Sequence, residues 1–202
     1  LTNMRKFYIL FLLILSYPLT AQTFDFQNVQ DQFGWVSGGG GITDADLSIT
    51  SEGLVVSWAA PGESSWQNGR KPKLKHINAN VDADMNKIFS ITLHNTSNSV
   101  TRVRVIHFKG LNGTDPTSSN GTHARYASFD IPALTDAQET FYYDLTNADW
   151  VNYNNEIETE TDLDMDHIQI QFVTASPANG FLNSEGSITI HSMAFINEIP
   201  SE

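Results

Sequence analysis

The sequence predicts an all-β protein that folds as an antiparallel β-sandwich, or jelly roll, of about nine strands. Three observations support this fold class. Nearly every patterned segment alternates apolar and polar residues with a period of two, as a half-buried strand does. Segments rich in Gly, Ser, Asn and Asp separate these runs at the spacing typical of all-β domains. No segment shows a convincing helical period, so no helical layer is predicted.

The strand predictions follow from this alternation along the chain. It is clearest at residues 167–172, where alternate apolar side chains face one way and the polar side chains between them face the other. Residues 101–108 alternate similarly and place Arg102 and Arg104 on the outward face. Residues 134–139 are the best helical candidate, and we expect no more than a turn there. Further strands are predicted at 23–26, 47–50, 54–58, 87–95, 125–131, 140–145 and 187–195.

The first 21 residues predict a secretory signal peptide. After non-Met start residues, two basic residues lead into the apolar run 7–15, which is too short to span a bilayer. Cleavage after Ala21 would leave residues 22–202 as a single β-sandwich domain. We therefore expect a secreted or periplasmic protein without a membrane anchor.

Charge and cysteine content exclude several classes of function. The chain has 23 acidic and 11 basic residues and a net charge of −12, which repels nucleic acid and anionic membranes. A nucleic-acid partner is therefore excluded. There is no Cys, so disulfides, thiol catalysis, Cys-ligated metals and a lipid-modified Cys are excluded as well. The fold must be stabilised by its core or by bound ions, and we expect a monomer.

Several short segments occur in an order that resembles a known family. They are Phe24-Asp25-Phe26, Phe33-Gly34-Trp35, Gly53-Leu54-Val55-Val56, the acidic turn 80–87 before 88–93 and Asn95-Thr96-Ser97, and the later segments 141–145, 147–150, 166–172 and 186–195. In this order they resemble the jelly-roll carbohydrate-binding modules attached to, or secreted beside, bacterial polysaccharide-degrading enzymes. The resemblance covers most of residues 23–196 and implies a sugar-binding role without identifying the sugar.

Trp66 is the first candidate ligand-binding residue. It lies in a polar loop without apolar periodicity, and an exposed indole offers a flat surface on which the C–H face of a sugar ring stacks. The alternative is that Trp66 folds back onto the edge of the sandwich. Trp58 continues an alternating apolar face and is predicted to be core. Trp35 and Trp150 match aromatic positions of the resemblance and are predicted to be structural.

Outward-facing residues of the central strands form the second candidate. If they share one sheet face, their amide and guanidinium groups can make paired hydrogen bonds to sugar hydroxyls or carboxylates. The alternative is an ordinary solvated sheet face. A nearby basic strip favours an anionic polysaccharide over a neutral one. The candidates are Thr92, His94, Arg102, Arg104, Tyr142, Gln169 and Gln171 on the strands, and Arg70, Lys71, Lys73 and Lys75 in the strip.

Asp-x-Asp sequences suggest a structural calcium ion, because calcium binds several oxygen ligands. They occur at 44–46, 82–84 and 162–166, and the last of them lacks the Gly and Glu that an EF-hand loop requires. The resemblance implies a calcium ion near the chain ends, which makes Asp25 a candidate ligand. The alternative for each cluster is a set of solvated loop acids.

A small β-jelly-roll polysaccharide lyase is the alternative function. Such lyases use Arg, His or Gln to neutralise a uronate carboxylate, and Tyr or His as base and acid. The chain supplies these residue types at Arg102, Arg104, His107, Tyr126 and Gln169. It lacks the Gln-x-His and Tyr-x-Lys-x-Gly patterns of these lyases and the Gly-x-Ser-x-Gly of serine hydrolases. We therefore predict a non-catalytic polysaccharide-binding protein, with a structural or adhesion module that binds protein as a third possibility.

Overall fold

A computed structural model shows the chain as two antiparallel sheets that form a β-sandwich, which confirms the predicted fold class. Residues 1–20 of the predicted signal segment and Trp66 lie outside the described residues. The described residues are 21–29, 31–38, 43–61, 69–76, 79, 81–83, 85–108, 124–152, 164–165, 167–175 and 180–201.

Each of the two large sheets has six strands. Sheet A has the order β10 (Glu139–Asp144), β7 (Ile88–Asn95), β14 (Gly186–Ile196), β4 (Gly53–Trp58) and β3 (Asp46–Thr50), and β1 (Gln22–Asp25) also pairs with β14. Sheet B has the order β11 (Val151–Asn152), β9 (Ala124–Asp130), β8 (Arg102–Phe108), β13 (His167–Val173), β5 (Lys73–His76) and β2 (Val36–Ser37). A separate two-stranded sheet contains β6 (Val81–Asp82) and β12 (Asp164–Met165).

The core lies between the two sheets, because alternate side chains of each strand point inward. The three tryptophans that the sequence predicts to be core or structural are all buried: Trp35, Trp58 and Trp150. On β7 the inward residues are Phe89, Ile91 and Leu93, all fully buried, as the alternating pattern of residues 87–95 requires. The indole nitrogen of Trp58 donates to the main-chain carbonyl of Ser184 at 2.9 Å. This bond connects β4 to the segment that precedes β14.

A short helix follows β1 and includes Phe26, the last residue of the predicted first strand. This helix, α1 (Phe26–Val29), starts after Asp25, whose carboxylate accepts hydrogen bonds from the main-chain and side-chain nitrogens of Asn28 at 2.9 and 2.8 Å. Such a cap stabilises a helix start without any apolar period. Residues 134–139, the predicted helical candidate, are not helical and lead into β10. No helix of the described residues is long and apolar enough to cross a membrane.

The central strand of sheet B, β13, is buried on both of its faces. Its inward side chains belong to the core, whereas its outward side chains are polar and still buried. An outward sheet face commonly contacts water, so buried polar residues there distinguish this face from an ordinary solvated one. The inward residues are Ile168, Ile170 and Phe172, and the outward polar residues are His167, Gln169 and Gln171.

Candidate ligand-binding face

Four polar side chains lie in a row across the outer face of sheet B. Direct pairing places Gln171 of β13 between Lys73 of β5 and Arg104 of β8. Ser128 of β9 is next in line, opposite Arg104. Neighbouring strands lie about 4.8 Å apart, so opposed side chains on one face can contact each other. We call these four residues the basic row.

A second row runs beside the first, two positions along each strand, and we call it the amide row. Gln169 lies at its centre, between Lys75 of β5 and Ile106 of β8. Tyr126 of β9 continues the row opposite Ile106. Because a strand rises about 3.4 Å per residue, the amide row lies about 7 Å from the basic row.

The side chain of Arg104 is held in place by three neighbours. Its Nε donates to the hydroxyl of Ser128 at 3.3 Å, and its Nη1 donates to the side-chain oxygen of Gln171 at 3.5 Å. The guanidinium carbon lies 4.7 Å from the centre of the Tyr126 ring, a cation–π contact. A guanidinium fixed in this way presents several donors in one plane and is pre-oriented for a carboxylate or hydroxyl oxygen.

Arg102 lies on the same face of β8 but has an anionic partner within the protein. Its Nε donates to Asp130 Oδ1 at 2.7 Å, and the two residues are direct cross-strand partners. The carboxylate of Asp130 is exposed, so the ion pair lies at the solvent-facing margin of the face. Arg102 is therefore a weaker candidate for contacting an anionic ligand than Arg104.

Positive charges are crowded around the basic row. Burial lowers the pKa of the Lys73 ammonium below its usual value, and the positive charge of Lys75 lowers it further. Burial, followed by the charge of Arg104, lowers the pKa of Lys71 in the same way. The Lys71 ammonium lies 4.3 Å from the centre of the Phe181 ring. An anion bound here would relieve the repulsion between these charges.

The two glutamines of β13 differ in how their side-chain oxygens are satisfied. Gln171 is 7% exposed, and its oxygen accepts the hydrogen bond from Arg104. Gln169 is 1% exposed, and its oxygen is buried without a hydrogen-bond partner among the described residues. Buried polar atoms without partners are uncommon in folded proteins, and each one calls for an explanation.

His94 and Tyr142 lie on a different surface from the basic row. They belong to β7 and β10 of sheet A, whose outer face is on the opposite side of the sandwich. Thr92 lies there too, with its hydroxyl 2.8 Å from that of Thr140. The expectation that all outward-facing candidates share one sheet face is therefore wrong. The residues that do share the outer face of sheet B are Arg102, Arg104, Gln169 and Gln171.

Arg70 is also separate from the basic row. Its Nη2 donates to the main-chain carbonyl of Ala60 at 3.0 Å. Its side chain lines a pocket of about 80 Å³ together with Asp44, Asp46 and Trp58. Pockets that bind small molecules are commonly about 300–1,000 Å³, so this one is too small to enclose a sugar ring.

Of the residues considered for a lyase, His107 is separated from the others, which lie on the outer face of sheet B. His107 is fully buried on the inward side of β8, where its ring centre lies 5.6 Å from that of Trp150. Arg104 and Tyr126 are on the outward side of the same sheet. His107 therefore cannot act as acid or base on a ligand bound beside Arg104 in this fold.

Asp25, the predicted calcium ligand, forms the cap of α1. The side-chain and main-chain hydrogen bonds from Asn28 lower the pKa of its carboxyl group. Within the described part of the chain, no three or more His, Asp or Glu side chains are grouped so that they could hold a metal ion. The carboxylate of Asp25 is thus already hydrogen-bonded within the protein, and calcium binding stays a prediction from the sequence.

Two residues of this face, Ser128 and Phe181, are not candidates in the sequence. Ser128 is one of many small polar residues at alternating positions, and only the pairing of β9 with β8 brings it to Arg104. Phe181 lies outside the strands and carries no periodic pattern, so its position beside Lys71 depends on long-range folding.

Two solved structures show where this fold has been seen. A family 11 carbohydrate-binding module from Clostridium thermocellum, in complex with a β-1,3-1,4-mixed-linked tetrasaccharide, matches 90% of this chain and 99% of its own, with 13% identity and a TM-score of 0.56. The family 11 module of a cellulosomal cellulase of Clostridium thermocellum matches 91% and 98%, with 13% identity and a TM-score of 0.57. No family profile and no curated protein match the sequence. The chain therefore has the jelly-roll fold of carbohydrate-binding modules, as the sequence resemblance implied.

Proposed function

We propose that the protein binds a polysaccharide along the outer face of sheet B without cleaving it, and that it prefers an anionic glycan. The observation that carries this proposal is the basic row, in which Lys73, Gln171 and Arg104 lie side by side on three adjacent strands. Ammonium, amide and guanidinium groups in one row offer the donors that sugar hydroxyls and carboxylates require.

The preference for a polysaccharide is supported by the shape and the chemistry of the face. The two rows extend across several strands, and the face also carries the ring of Tyr126, whose apolar surface suits sugar C–H groups. The fold is shared with carbohydrate-binding modules, one of which was solved in complex with a mixed-linked tetrasaccharide. That neutral glucan is therefore the reference ligand against which an anionic preference is measured.

The preference for an anion is supported by the contrast between the two outer faces. The outer face of sheet B gathers Lys71, Lys73 and Arg104. Burial lowers the pKa of both lysines, and repulsion lowers it further, from Arg104 for Lys71 and from Lys75 for Lys73. The corresponding row across sheet A pairs Thr140 with Thr92 and Thr92 with Ser192, which are hydroxyl groups without charge. In a chain with a net charge of −12, the cations of sheet B are suited to an acidic polymer.

Affinity electrophoresis tests this proposal directly. Gels that contain polygalacturonate, alginate or mixed-linked β-glucan are compared with a polymer-free gel, and the same mixtures are assayed for new reducing ends and for the ultraviolet absorbance of a lyase product. We expect retardation by at least one acidic polymer and no product. Sustained product release would identify an enzyme, and a protein that migrates normally in every gel would contradict polysaccharide binding.

We also propose that the protein is exported and acts as a monomer. Export is supported by the signal-like composition of the first 21 residues, and the monomer by the high net charge, which disfavours self-association. N-terminal sequencing of protein recovered outside the cytoplasm should give a chain that starts at Gln22. Light scattering should give the mass of one chain. A retained leader or a dimer mass would contradict the respective statement.

A further inference from the structure

Gln169 has a buried side-chain oxygen to which no described residue donates a hydrogen bond. The residue is 1% exposed, and this oxygen has no hydrogen-bond partner among the described residues. It lies on the outward face of β13, since its neighbours in sequence, Ile168 and Ile170, are core residues. An acceptor of this kind destabilises the free protein, because it has lost its contact with water and gained nothing in return.

The neighbour of Gln169 on β8 supplies no donor to its side-chain oxygen. Ile106, its cross-strand partner on β8, has an apolar side chain. The corresponding partner of Gln171 is Arg104, whose guanidinium does donate to the Gln171 oxygen. The two amides thus occupy equivalent positions on one strand, and among the described residues only the Gln171 oxygen has a hydrogen-bond donor.

A ligand has a possible route to the Gln169 side chain on the β5 side. Its other cross-strand partner is Lys75, a half-buried residue whose long side chain has several rotatable bonds. Of the two cross-strand partners, Lys75 has the longer and more flexible side chain to move aside for a ligand, whereas Ile106 is buried. A ligand would therefore reach Gln169 from the side of β5, next to Lys73.

We propose that Gln169 is a specificity-determining residue of the sheet B face, whose side-chain oxygen accepts a hydrogen bond from a sugar hydroxyl of the bound polysaccharide. This inference rests on the function proposed above and makes it more specific. The basic row lies about 7 Å away, so one sugar unit can place an acidic group at the basic row and a free hydroxyl at Gln169. The ligand class that meets both conditions is a polyuronate.

Replacement of Gln169 by Met tests the proposal, because Met has a similar length and no polar acceptor of comparable strength. We expect Gln169→Met to melt at or above the temperature of the wild type, since an unpaired buried oxygen is removed. We expect its affinity for polygalacturonate, measured by affinity electrophoresis, to fall about tenfold or more, as for the loss of one well-placed hydrogen bond. Gln171→Met is the matched control: it loses a satisfied hydrogen bond and should melt below the wild type.

Each outcome decides the proposal. A Gln169→Met protein that melts well below the wild type, or fails to fold, shows that the amide has a structural role and overturns the inference. Normal affinity in a well-folded Gln169→Met protein overturns it as well. The variant Arg104→Ala separates this inference from the proposed function. If Arg104→Ala is no longer retarded while Gln169→Met still is, the face binds the glycan but Gln169 does not contribute to binding. If neither polygalacturonate nor alginate retards the wild type, the polyuronate assignment falls, and if no glycan retards it, the proposed function falls too.

Discussion

Arg102 and Arg104 share one strand face but differ in their partners, and this difference predicts unequal effects of their removal. Arg104 is oriented by Ser128 and Gln171, whereas Arg102 forms an ion pair with Asp130. We expect Arg104→Ala to weaken the binding of an acidic glycan by about 1.5–3 kcal/mol, the range for hydrogen bonds to charged groups. Isothermal titration calorimetry with a uronate oligosaccharide measures this loss.

Arg102→Ala is the matched control for that prediction. Because an exposed ion pair contributes only about 0.2–1 kcal/mol, its removal should change both stability and affinity little. Above about 0.1 M salt, added NaCl should weaken the binding of the wild type more than that of Arg104→Ala. Equal losses for the two variants would show that the charges act only through the general field of the face.

Trp58 and Trp66 provide a second pair of predictions at the residue scale. Trp58 is buried and hydrogen-bonded to Ser184, so Trp58→Ala should lower the free energy of unfolding by about 3–5 kcal/mol.

Trp66 lies outside the described residues and stays a sequence-based candidate for stacking on the sugar. We expect Trp66→Ala to lose about 1–3 kcal/mol of binding with nearly unchanged stability. Chemical unfolding and titration measure both, and a Trp66→Ala protein that binds normally but melts early would identify a packing residue.

At the scale of elements, the turn between β3 and β4 is shaped by its contact with a neighbouring strand. Gly53 has a φ of 134°, and a Cβ atom at this position would collide with the carbonyl oxygen of Ile190. The same part of β14 has a register shift between Ile190 and Ser192, so the turn and the bulge fit against each other. We expect Gly53→Ala to lower the free energy of unfolding by about 1–3 kcal/mol. The exposed Ser51 in the same turn is the control, and Ser51→Ala should change stability by less than about 0.5 kcal/mol. A similar loss of stability in both variants would contradict this account.

The strands that could be predicted from the sequence are those with enough alternating residues to define a face. Eight predictions, from 47–50 to 187–195, match β3, β4, β7 to β10, β13 and β14 to within one residue at each end. The two-residue strands β2, β6, β11 and β12 are too short to carry a period. The strand β5 is long enough to be predicted but is not, because Leu74 is its only buried residue. Its lysines are instead interpreted as part of a charged strip.

The candidate site could be predicted only in part, because alternation tells which residues face outward but not which strands are neighbours. Arg104 and Gln171 were both assigned outward positions, and the pairing of β8 with β13 places them opposite each other. His94 was assigned outward as well, but β7 belongs to the other sheet. The burial of Gln169 depends on its neighbours in the folded structure. The alternation of apolar and polar residues predicts that Gln169 faces outward, but it does not predict that the residue is buried there.

At the scale of the whole molecule, the half-buried His76 and the buried His191 predict that stability falls in mildly acidic solution. Burial lowers the pKa of His76, and burial together with the charge of His94 lowers that of His191, although Glu52 opposes this change. Both are therefore neutral in the folded protein at pH values where the unfolded chain, with a usual pKa of 6.5, already binds protons. Stability is fully present above that pKa and is lost as the pH falls toward the lowered values.

Urea unfolding at about pH 7.5 and about pH 5.5 measures this effect, since the interval spans the usual histidine pKa. We expect a lower midpoint at the lower pH and a smaller difference in His191→Gln. Asp25 and Asp144, whose hydrogen bonds lower their pKa, act in a separate window below their usual value of 3.8. A midpoint that stays constant or rises on acidification would contradict the role of the histidines.

Calcium remains a proposal for the whole molecule, based on the Asp-x-Asp turns and the lack of Cys. An ion that binds only the folded state raises its stability in proportion to the logarithm of the ion concentration. The melting temperature should therefore fall when EDTA is added and recover with excess calcium. An unchanged melting temperature across these conditions would rule out a stabilising ion.

The basic row faces outward from a molecule whose formal net charge is −12, and these opposite signs act over different distances. An acidic polymer approaching from afar meets the repulsion of the whole molecule, while at contact it meets the local cations. The Debye length falls from about 30 Å at 0.01 M salt to about 10 Å at 0.1 M, so moderate salt removes the distant repulsion first. Association with such a polymer should therefore be fastest at an intermediate ionic strength, and the molecule should approach its ligand in one preferred orientation.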